Sequence, residues 1–315
     1  MTSTLSYLDA VDANLNGLIT EIKADGRTIP LTHGDRVVLE PDIAKEEIVE
    51  HYARVAPLML PHVRGRPVSI QRFPGPPGSR PIYQKAMPSH FPDWIHRVTV
   101  PKVGGIVTHV IADDAATLVY IANQGSITPH VWLSTVDHLT QPDRMIIDLD
   151  PGSGGVEDAR FAAHLARDVM TEAGLEPYLM ATGSRGYHVV VPLKPAADFD
   201  DVRAVCFGLA EALARRAPDR LTTEFYKEKR AGRLFLDCNR NAWAQTAVPP
   251  YAVRPKPSAP VAVPISWDEL DDMGPDAVTV RTIVRRLEVA PDPWAGFTRR
   301  ARSLDKTKRW LAQQS

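Results

Sequence analysis

This chain of 315 residues has few cysteines, no long apolar run and almost no net charge. Its two cysteines, Cys206 and Cys238, are too few and too badly spaced for a disulfide framework or a zinc site, so packing is their expected role. No stretch approaches the roughly 18 consecutive apolar residues of a membrane span. The first residues, Met1–Thr4, lack the charged and apolar regions of a signal peptide. We therefore expect a soluble, globular, cytoplasmic protein with no membrane partner.

The net charge of −1 conceals a basic C-terminus. Residues 281–315 hold nine Lys or Arg against three acids, which leaves −7 on the rest of the chain. A phosphate-binding surface and a solvated amphipathic helix explain this tail about equally well. Its basic residues near Trp310 are Arg299, Arg300, Arg302, Lys306, Lys308 and Arg309. Net charge alone does not identify a protein that binds nucleic acid.

Hydrophobic periodicity predicts a mixture of strands and helices, with no internal repeat or low-complexity segment. A hairpin is predicted over residues 18–32 around Asp25-Gly26, then a helix over 44–60 that Pro61 ends. The Pro- and Gly-rich residues 72–92 predict a surface loop. Further strands are predicted at 98–100, 106–111, 118–121, 177–181, 187–193 and 233–237, and further helices at 156–173 and 199–216. The segment Pro249–Pro264 is expected to be a linker or a strap over the core.

The most informative stretch is Met145-Ile146-Ile147-Asp148-Leu149-Asp150-Pro151-Gly152. Because side chains alternate along a strand, Asp148 and Asp150 point to the same face, roughly 6.6 Å apart along the chain. A bare Asp-x-Asp more often begins a solvated turn. Here the apolar neighbours indicate a core strand, where unpaired carboxylates are costly without a cation or another partner. Such a pair suits one or two divalent metal ions, the arrangement used in phosphoryl transfer.

Two later motifs add groups that bind phosphate or metal. Ala181-Thr182-Gly183-Ser184-Arg185-Gly186-Tyr187-His188 forms a tight turn between two apolar segments, and its hydroxyl, guanidinium and imidazole groups suit a triphosphate. Taken alone, the same turn is more often a structural hairpin. Arg230-Ala231-Gly232-Arg233-Leu234-Phe235-Leu236-Asp237 supplies a third carboxylate, which could ligate a metal or help to deprotonate a hydroxyl.

The three motifs, in this order, resemble the archaeo-eukaryotic primase superfamily, and specifically the polymerase domain of the bacterial end-joining ligase D. The similarity covers nearly the whole chain and includes Leu60–Pro67, Thr117–Asn123 and Pro250–Arg254. It implies an α+β primase-polymerase core with mixed or antiparallel sheets flanked by helices. It also implies one catalytic domain over 1–290, with a subregion of about 1–110 packed on a core of about 111–270, and a basic helical tail over 291–315.

The same resemblance assigns roles to individual residues. Asp148, Asp150 and Asp237 become the catalytic, metal-binding carboxylates. The implied nucleotide contacts are Thr182, Gly183, Ser184, Arg185, His188, His130, Arg230 and Arg254. Arg36 and Lys45 are expected to bind the 5′ phosphate of a downstream DNA strand, and Tyr83 to stack on the template. Arg36 and Arg185 stand where the family usually has lysine, and Ile82-Tyr83 stands in place of an aromatic pair.

The implied function is template-dependent addition of nucleotides, preferably ribonucleotides, to primer 3′ ends in short gaps or at broken DNA ends. Two Mn²⁺ or Mg²⁺ ions are the implied cofactors, and NTPs or dNTPs the substrates. The implied partners are DNA that is gapped or has 3′ overhangs, Ku and a separate DNA ligase. We expect a nucleoid-associated, stand-alone polymerase or a domain cut from a longer protein.

Two other functions fit parts of the sequence. A non-catalytic protein of the same fold that binds or bridges DNA ends is the main alternative, and the presence of all three aspartates argues against it. A metal-dependent nuclease also uses clustered carboxylates. It would leave the loop at 182–188 unexplained.

Overall fold

The computed structural model describes residues 11–13, 19–289 and 291–314, and the chain divides into two compact units. Unit 1 consists of the residues up to Val131 with Val248–Val261 and Val278–Glu288. Unit 2 consists of Trp132–Ala247, Ala262–Ala277 and the residues from Val289 onward. Leu18 of the predicted hairpin and the start of the chain, Met1–Thr4, lie outside the described residues. The expected division into one catalytic domain and a tail stays a prediction.

The strands in chain order are β1 Val11–Ala13, β2 Ile19–Ala24, β3 Arg27–Pro30, β4 Val37–Leu39, β5 Ile43–Ala44, β6 Pro67–Arg72, β7 Ile82–Gln84, β8 Arg97–Lys102, β9 Gly105–Ile111, β10 Ser126–Trp132, β11 Arg144–Asp150, β12 Tyr178–Ala181, β13 Tyr187–Pro192, β14 Leu221–Thr222, β15 Leu234–Asp237, β16 Thr246–Ala247 and β17 Val263–Ile265. The helices are α1 Lys45–Val63, α2 Ala115–Asn123, α3 Gly155–Glu172, α4 Phe199–Arg216, α5 Ile283–Val289 and α6 Asp305–Ala312.

Unit 1 contains a sheet in which β10, β6, β9 and β8 are neighbours, with β7 also paired to β6. Helices α1 and α2 pack against each other, and β2 and β3 form the predicted hairpin. At its tip Asp25 and Gly26 have φ values of 45° and 72°, the left-handed backbone that a tight two-residue hairpin turn requires. The Asp-Gly pair therefore identified this hairpin correctly.

Helix α1 extends beyond the predicted end at Pro61. Both Pro57 and Pro61 lie inside it, although an interior proline costs about 3 kcal/mol in an isolated helix. The backbone N–H of Arg64 still donates to the Leu60 carbonyl at 2.9 Å, so the helix ends regularly after the second proline. Its face with Val55 and Met59 is buried, as predicted. This burial offsets the local cost of the prolines.

Residues 118–121, predicted as a strand, belong to helix α2. The Asp114 side chain begins the helix by accepting a hydrogen bond from the Thr117 backbone N–H at 2.7 Å. Leu118 and Ile121 are fully buried. A short apolar run has the same pattern in a buried helix and in a buried strand, so periodicity could not separate the two.

In three other segments of unit 1 the structure differs from the sequence prediction or decides between its alternatives. The predicted loop over 72–92 contains β7, and β10 was not predicted at all. Up to Val261, the Pro-rich segment is a strap rather than a linker, and it is buried except at residues 254–258. Within it, the Val253 carbonyl accepts a hydrogen bond from the Thr128 hydroxyl at 2.6 Å, and its N–H donates to Tyr52 Oη at 3.1 Å.

Unit 2 is built on a sheet with the strand order β14-β15-β11-β13-β12-β17. All of these pairs are antiparallel except β14 with β15. Helices α3 and α4 contact strand β11. The predicted α3, α4, β12, β13 and β15 are confirmed within one or two residues. Cys206 and Cys238 are fully buried in this unit, in agreement with the packing role expected for them.

The basic tail contains helix α6, which contacts α4. The Thr307 hydroxyl donates to the Ala173 carbonyl at 3.1 Å, and Leu311 lies against Gly208. The charged residues Lys306, Lys308 and Arg309 are exposed, so the helix is amphipathic. Among the described residues, none of the helices has the length and apolar character needed to cross a membrane.

Candidate active site

Three titratable side chains form a row across the sheet of unit 2. Asp148 on β11 pairs directly with Asp237 on β15 and with His188 on β13. Directly opposed residues of antiparallel strands share a face, with Cβ atoms about 4.5–5.5 Å apart. Asp150, two residues along β11, lies on the same face. The sheet register thus brings the three predicted carboxylates together.

Polar contacts hold the Asp148 and Asp237 side chains in place. His188 Nε2 lies 3.5 Å from Asp148 Oδ2, and the side chains of both residues are buried. Asp237 Oδ1 accepts hydrogen bonds from the Asn239 backbone N–H and from Asn239 Nδ2, both at 2.8 Å. These contacts restrict the orientation of the two carboxylates.

Asp150 is the most exposed of the three carboxylates. Arg185 Nη2 lies 3.4 Å from its Oδ2. The pKa of Asp150 is nevertheless raised, first by burial and then by the charge of Asp148, with Arg185 opposing both effects. Two carboxylates this close favour an added positive charge between them.

The turn between β12 and β13 uses much of its own backbone internally. The Thr182 N–H and hydroxyl both donate to the Gly186 carbonyl, at 3.2 and 2.8 Å, and the Gly183 N–H donates to the Pro275 carbonyl at 2.8 Å. A Cβ on Gly186 would lie 1.9 Å from the Leu149 carbonyl oxygen, so only glycine fits there. Ser184 is half-buried and Arg185 is exposed at the turn. Nucleotide contacts by these residues stay predictions.

Arg230 lies over the same face of the sheet. Its guanidinium carbon is 4.0 Å from the centroid of Phe235, which pairs with Asp150 across β11 and β15. Arg230 also donates to the carbonyls of Glu224 and Phe225, at 3.0 and 2.6 Å. The loop before β15 is therefore held by the arginine that the sequence assigned to a phosphate.

These residues line a cleft of about 610 Å³. Asp150, Asp237, Arg185 and Arg230 all contribute to its wall. Sequence reasoning did not assign the other lining side chains to the site, which are Pro151, Ser153, Phe225, Lys227, Arg233 and Phe235. The run Phe225-Tyr226-Lys227-Glu228-Lys229-Arg230 carried a signal, because it mixes aromatic and basic residues just before a strand that ends in a carboxylate.

The donor set fits a hard divalent cation. Carboxylate oxygens are the ligands that Mg²⁺ and Mn²⁺ prefer, and the pKa of Asp150 is raised by burial first and by the Asp148 charge second, both of which a bound cation would oppose. Within residues 20–289 and 291–314, no group of three or more His, Cys, Asp or Glu side chains already has metal-binding geometry. Asp150 is turned toward Arg185, and Asp237 toward Asn239.

The predicted residues of unit 1 form two groups. In the first, the rings of Tyr83 and His130 have centroids 6.3 Å apart on one face of the sheet, and Gln71 Nε2 donates to Tyr83 Oη at 2.9 Å. The Tyr83 side chain is 64% exposed, which leaves its ring available for stacking. The half-buried Arg254 follows Val253 of the strap, which Thr128 of β10 binds.

The second group joins Arg36 and Lys45. The Lys45 N–H donates to the Arg36 carbonyl at 2.9 Å, so β4 and β5 place the two residues side by side. They line a pocket of about 290 Å³ together with Arg72 and Asn123, which sequence reasoning missed. Arg36 Nη2 donates to the carbonyls of Phe73, Pro74 and Gly75. Lys45 is also the first residue of α1, where the helix dipole favours an anion.

The charge of Lys45 is costly in this pocket. Burial and then the neighbouring Arg36 charge lower its pKa from an ordinary 10.5 to about 8. Its Nζ donates to the Thr32 carbonyl and hydroxyl, and none of the described residues that line the pocket is acidic. Two cations at a helix N-terminus form a pocket that is suited to a phosphate.

This architecture matches that of a polymerase domain of known structure. The chain superposes on a solved structure, the polymerase domain from Mycobacterium tuberculosis Ligase D in complex with DNA, with a TM-score of 0.80 and 28% identity. The match covers 87% of this chain and 99% of that one. The expected α+β primase-polymerase fold is therefore confirmed.

The family follows from the sequence comparisons. Residues 44–294 match the family model of the LigD primase-polymerase domain, and the chain belongs to this family. It is 32% identical over 248 residues to the multifunctional non-homologous end joining protein LigD of Mycolicibacterium smegmatis, covering 78% of this chain and 32% of that protein. It is 27% identical over 277 residues to the bifunctional LigD of Bacillus subtilis, covering 86% of this chain and 44% of that protein. The chain thus spans less than half the length of these relatives.

Proposed function

We propose that this chain is a template-dependent nucleotidyltransferase that extends primer 3′ ends in short DNA gaps or at broken ends, with ribonucleotides preferred. The observation that carries this proposal is the sheet register of unit 2. It aligns Asp148 with Asp237 and places Asp150 at the edge of a cleft that also contains Arg185 and Arg230. Paired carboxylates beside guanidinium groups match the needs of phosphoryl transfer.

In the proposed reaction the primer 3′ oxygen attacks the α-phosphorus of a nucleoside triphosphate. The 3′ hydroxyl loses its proton to water as a new P–O bond forms to the primer. The bond between the α-phosphorus and the bridging oxygen breaks, and pyrophosphate leaves. Arg185 and Arg230 bind the triphosphate and balance its charge. His188 orients Asp148 by its contact with Oδ2.

Divalent cations complete the site. Asp148, Asp150 and Asp237 would hold Mn²⁺ or Mg²⁺, which when bound lowers the pKa of the primer hydroxyl and stabilises the leaving pyrophosphate. These three aspartates, which we call the carboxylate row, fit this role because they share one face of the sheet and because the anionic form of Asp150 is destabilised.

The Arg36–Lys45 pocket supports a gapped or broken DNA substrate. Its two cations and the N-terminus of α1 suit a terminal 5′ phosphate, a dianion that internal phosphodiesters do not provide. Tyr83 and His130 offer an exposed aromatic surface for a template base. The relatives are named as non-homologous end joining proteins. We propose Ku and a separate DNA ligase as partners, as the family resemblance implies.

The test is primer extension on a short 5′-phosphorylated gap, with ribonucleotides or deoxyribonucleotides and with Mn²⁺ or Mg²⁺. We expect templated addition by the wild-type chain, faster with ribonucleotides, and none by Asp148→Ala. Asp148→Ala is expected to bind the gap as tightly as the wild type. Gap binding without addition under every condition would instead support the DNA end-binding alternative.

A further inference from the structure

A second groove lies in unit 2, away from the carboxylate row. It encloses about 760 Å³ between the C-terminal half of α3, the start of β12, the turn at Trp267 and the segment around Arg300. Tyr178, which lines it, begins β12, whereas the turn beside the carboxylates follows Ala181 at the other end of that strand. Roughly 10 Å of strand therefore separates the groove from that turn.

The groove has an excess of positive charge. Arg167, Arg300 and Arg302 line it, opposed by Glu176 and Asp268. Glu176 forms ion pairs with two of these arginines: Arg300 Nη1 lies 3.5 Å from its Oε1, and Arg302 Nη2 lies 3.1 Å from its Oε2.

Arg167 carries an uncompensated charge, and Lys306 adds a fourth cation. Arg167 is exposed and forms no ion pair within the described ranges of the chain. Lys306 lies across Gly174, a residue of the groove wall. The rim therefore carries four cations against two anions.

Aromatic rings stand beside these cations. The guanidinium of Arg167 lies over the Trp267 ring, 5.3 Å from its centroid, and Trp267 Nε1 donates to the Pro177 carbonyl at 3.1 Å. Tyr178 is held edge-on by Trp294 and Phe297, with centroids 5.9 and 5.1 Å away. Trp267 and Tyr178 keep part of their surface exposed. Fixed rings next to guanidinium groups are the arrangement on which proteins stack unpaired bases while neutralising phosphates.

We propose that this groove binds a single strand of nucleic acid, with Arg167, Arg300 and Arg302 on the phosphates and a base stacked on Trp267. A duplex hides the faces of its bases, so the rings favour a single strand over double-stranded DNA. The choice of nucleic acid as the ligand rests on the proposed function, and it makes the groove a holding site for a strand outside the gap. The sequence left the phosphate-binding role of the basic tail open, and this proposal assigns that role to two of its arginines.

The experiment measures binding of a fluorescent oligothymidylate of about 15 nucleotides to the full chain over a range of salt concentrations. The variant R300A/R302A removes two groove cations. The control R299A/R309A removes two exposed arginines of the same tail that do not line the groove. We expect the groove variant to lower the slope of log K against log salt by about 1.4, since each lost single-strand phosphate contact contributes about 0.7. The control is expected to change it far less. Equal changes in the two variants would overturn the proposal.

Stacking is tested separately. We expect Trp267→Leu to weaken oligothymidylate binding at least about fivefold with little change in the salt slope, and Trp267→Phe to retain most of the affinity. A blunt duplex or polyglutamate that competes as well as the oligothymidylate would contradict the single-strand assignment. Thermal unfolding of each variant controls for folding.

The proposed polymerase activity is scored independently. R300A/R302A is expected to extend a primer in a short gap at the wild-type kcat, because its substitutions lie outside the carboxylate cleft. A wild-type chain that never extends a primer would remove the proposed function. A specific loss of oligothymidylate binding in the groove variant would still support the groove.

Discussion

At the scale of single residues, His188 lies beside the Asp148 carboxylate. The two side chains are opposite each other on paired strands, with Nε2 3.5 Å from Oδ2. Both are buried, so the imidazole restrains the carboxylate without competition from bulk water. The family resemblance instead assigns His188 to the nucleotide. The two roles differ in the kinetic constant that they affect.

We predict that His188→Asn lowers kcat by about 10- to 100-fold and leaves the KM for the nucleotide nearly unchanged. This is the usual loss when a group that orients a metal ligand is removed. Steady-state primer extension measures both constants. His164→Asn is the matched control, because His164 is an exposed histidine that contacts Asp271 in the same unit. A raised KM with an unchanged kcat would mean that His188 contacts the nucleotide instead.

Lys45 gives the proposed phosphate pocket a dependence on pH. Its pKa is lowered to about 8, so the free protein loses the Lys45 charge as the pH rises through that value. A 5′ phosphate is already a dianion in this range and binds the protonated lysine more tightly.

We predict that the preference for a 5′-phosphorylated gap over an unphosphorylated one falls between pH 7 and pH 9. The loss approaches tenfold per pH unit at most, since one proton is involved. Fluorescence anisotropy with the two gapped DNAs measures this preference directly. Lys45→Arg keeps a charge throughout the range and is expected to keep the preference. A wild-type preference that is flat across these pH values would count against a Lys45–phosphate contact.

At the scale of elements, the side chain of Asn241 extends the edge of strand β11. Strand β15 pairs with β11 only from Asp148 to Asp150. At Ile146 the Asn241 amide takes the place of a paired backbone: its Oδ1 accepts from the Ile146 N–H at 2.9 Å and its Nδ2 donates to the Ile146 carbonyl at 2.7 Å. Nδ2 also donates to the Cys238 carbonyl at 2.9 Å. Asn241 thereby ties the strand of Asp148 to the residue that follows Asp237.

We predict that Asn241→Ala lowers the free energy of unfolding by about 1–3 kcal/mol, because it leaves buried backbone groups without their partner. We also expect kcat to fall, because the spacing of Asp148 and Asp237 is no longer fixed. Urea unfolding and primer extension give the two readouts.

Thr307→Val is the control for this prediction. It removes a buried hydrogen bond to the Ala173 carbonyl in the same unit without touching β11. We expect it to reduce stability while kcat stays at the wild-type value. An Asn241→Ala enzyme with full kcat would show that this contact supports stability alone.

The elements also show where sequence reasoning succeeds. Helices α3 and α4 and the Asp25-Gly26 hairpin were predicted because periodicity and turn chemistry agree locally. Helix α2 was mistaken for a strand, and the end of α1 was misplaced at Pro61. In both cases burial by neighbouring elements decides the conformation, and that burial cannot be read from a single sequence.

At the scale of the whole molecule, the carboxylates could be located from the sequence but their arrangement could not. Strand alternation alone places Asp148 and Asp150 on one face. The pairing of Asp148 with Asp237, some ninety residues later, depends on which strands become neighbours. Phe225 joins its cleft from a loop that carries no periodic signal, and Asn123 joins its pocket from the end of helix α2, which was predicted as a strand. The pairing of Arg36 with Lys45 came from family resemblance, and the β4–β5 hairpin supplies its physical basis.

The division into two units leads to a final prediction, since the proposed phosphate pocket belongs to unit 1 and the carboxylate row to unit 2. We predict that R36A/K45A raises the KM for a 5′-phosphorylated gap about 10-fold or more, the loss expected for charged hydrogen bonds, and leaves kcat at saturating DNA unchanged. On an unphosphorylated gap the variant and the wild type are expected to have the same KM, because Arg36 and Lys45 have no 5′ phosphate to bind there. Asp148→Ala provides the reverse pattern, with gap affinity retained and turnover lost. Gap-filling kinetics give KM and kcat on each of the two DNAs. A fall in kcat for R36A/K45A at saturating DNA would show that the pocket contributes to the chemical step as well as to binding.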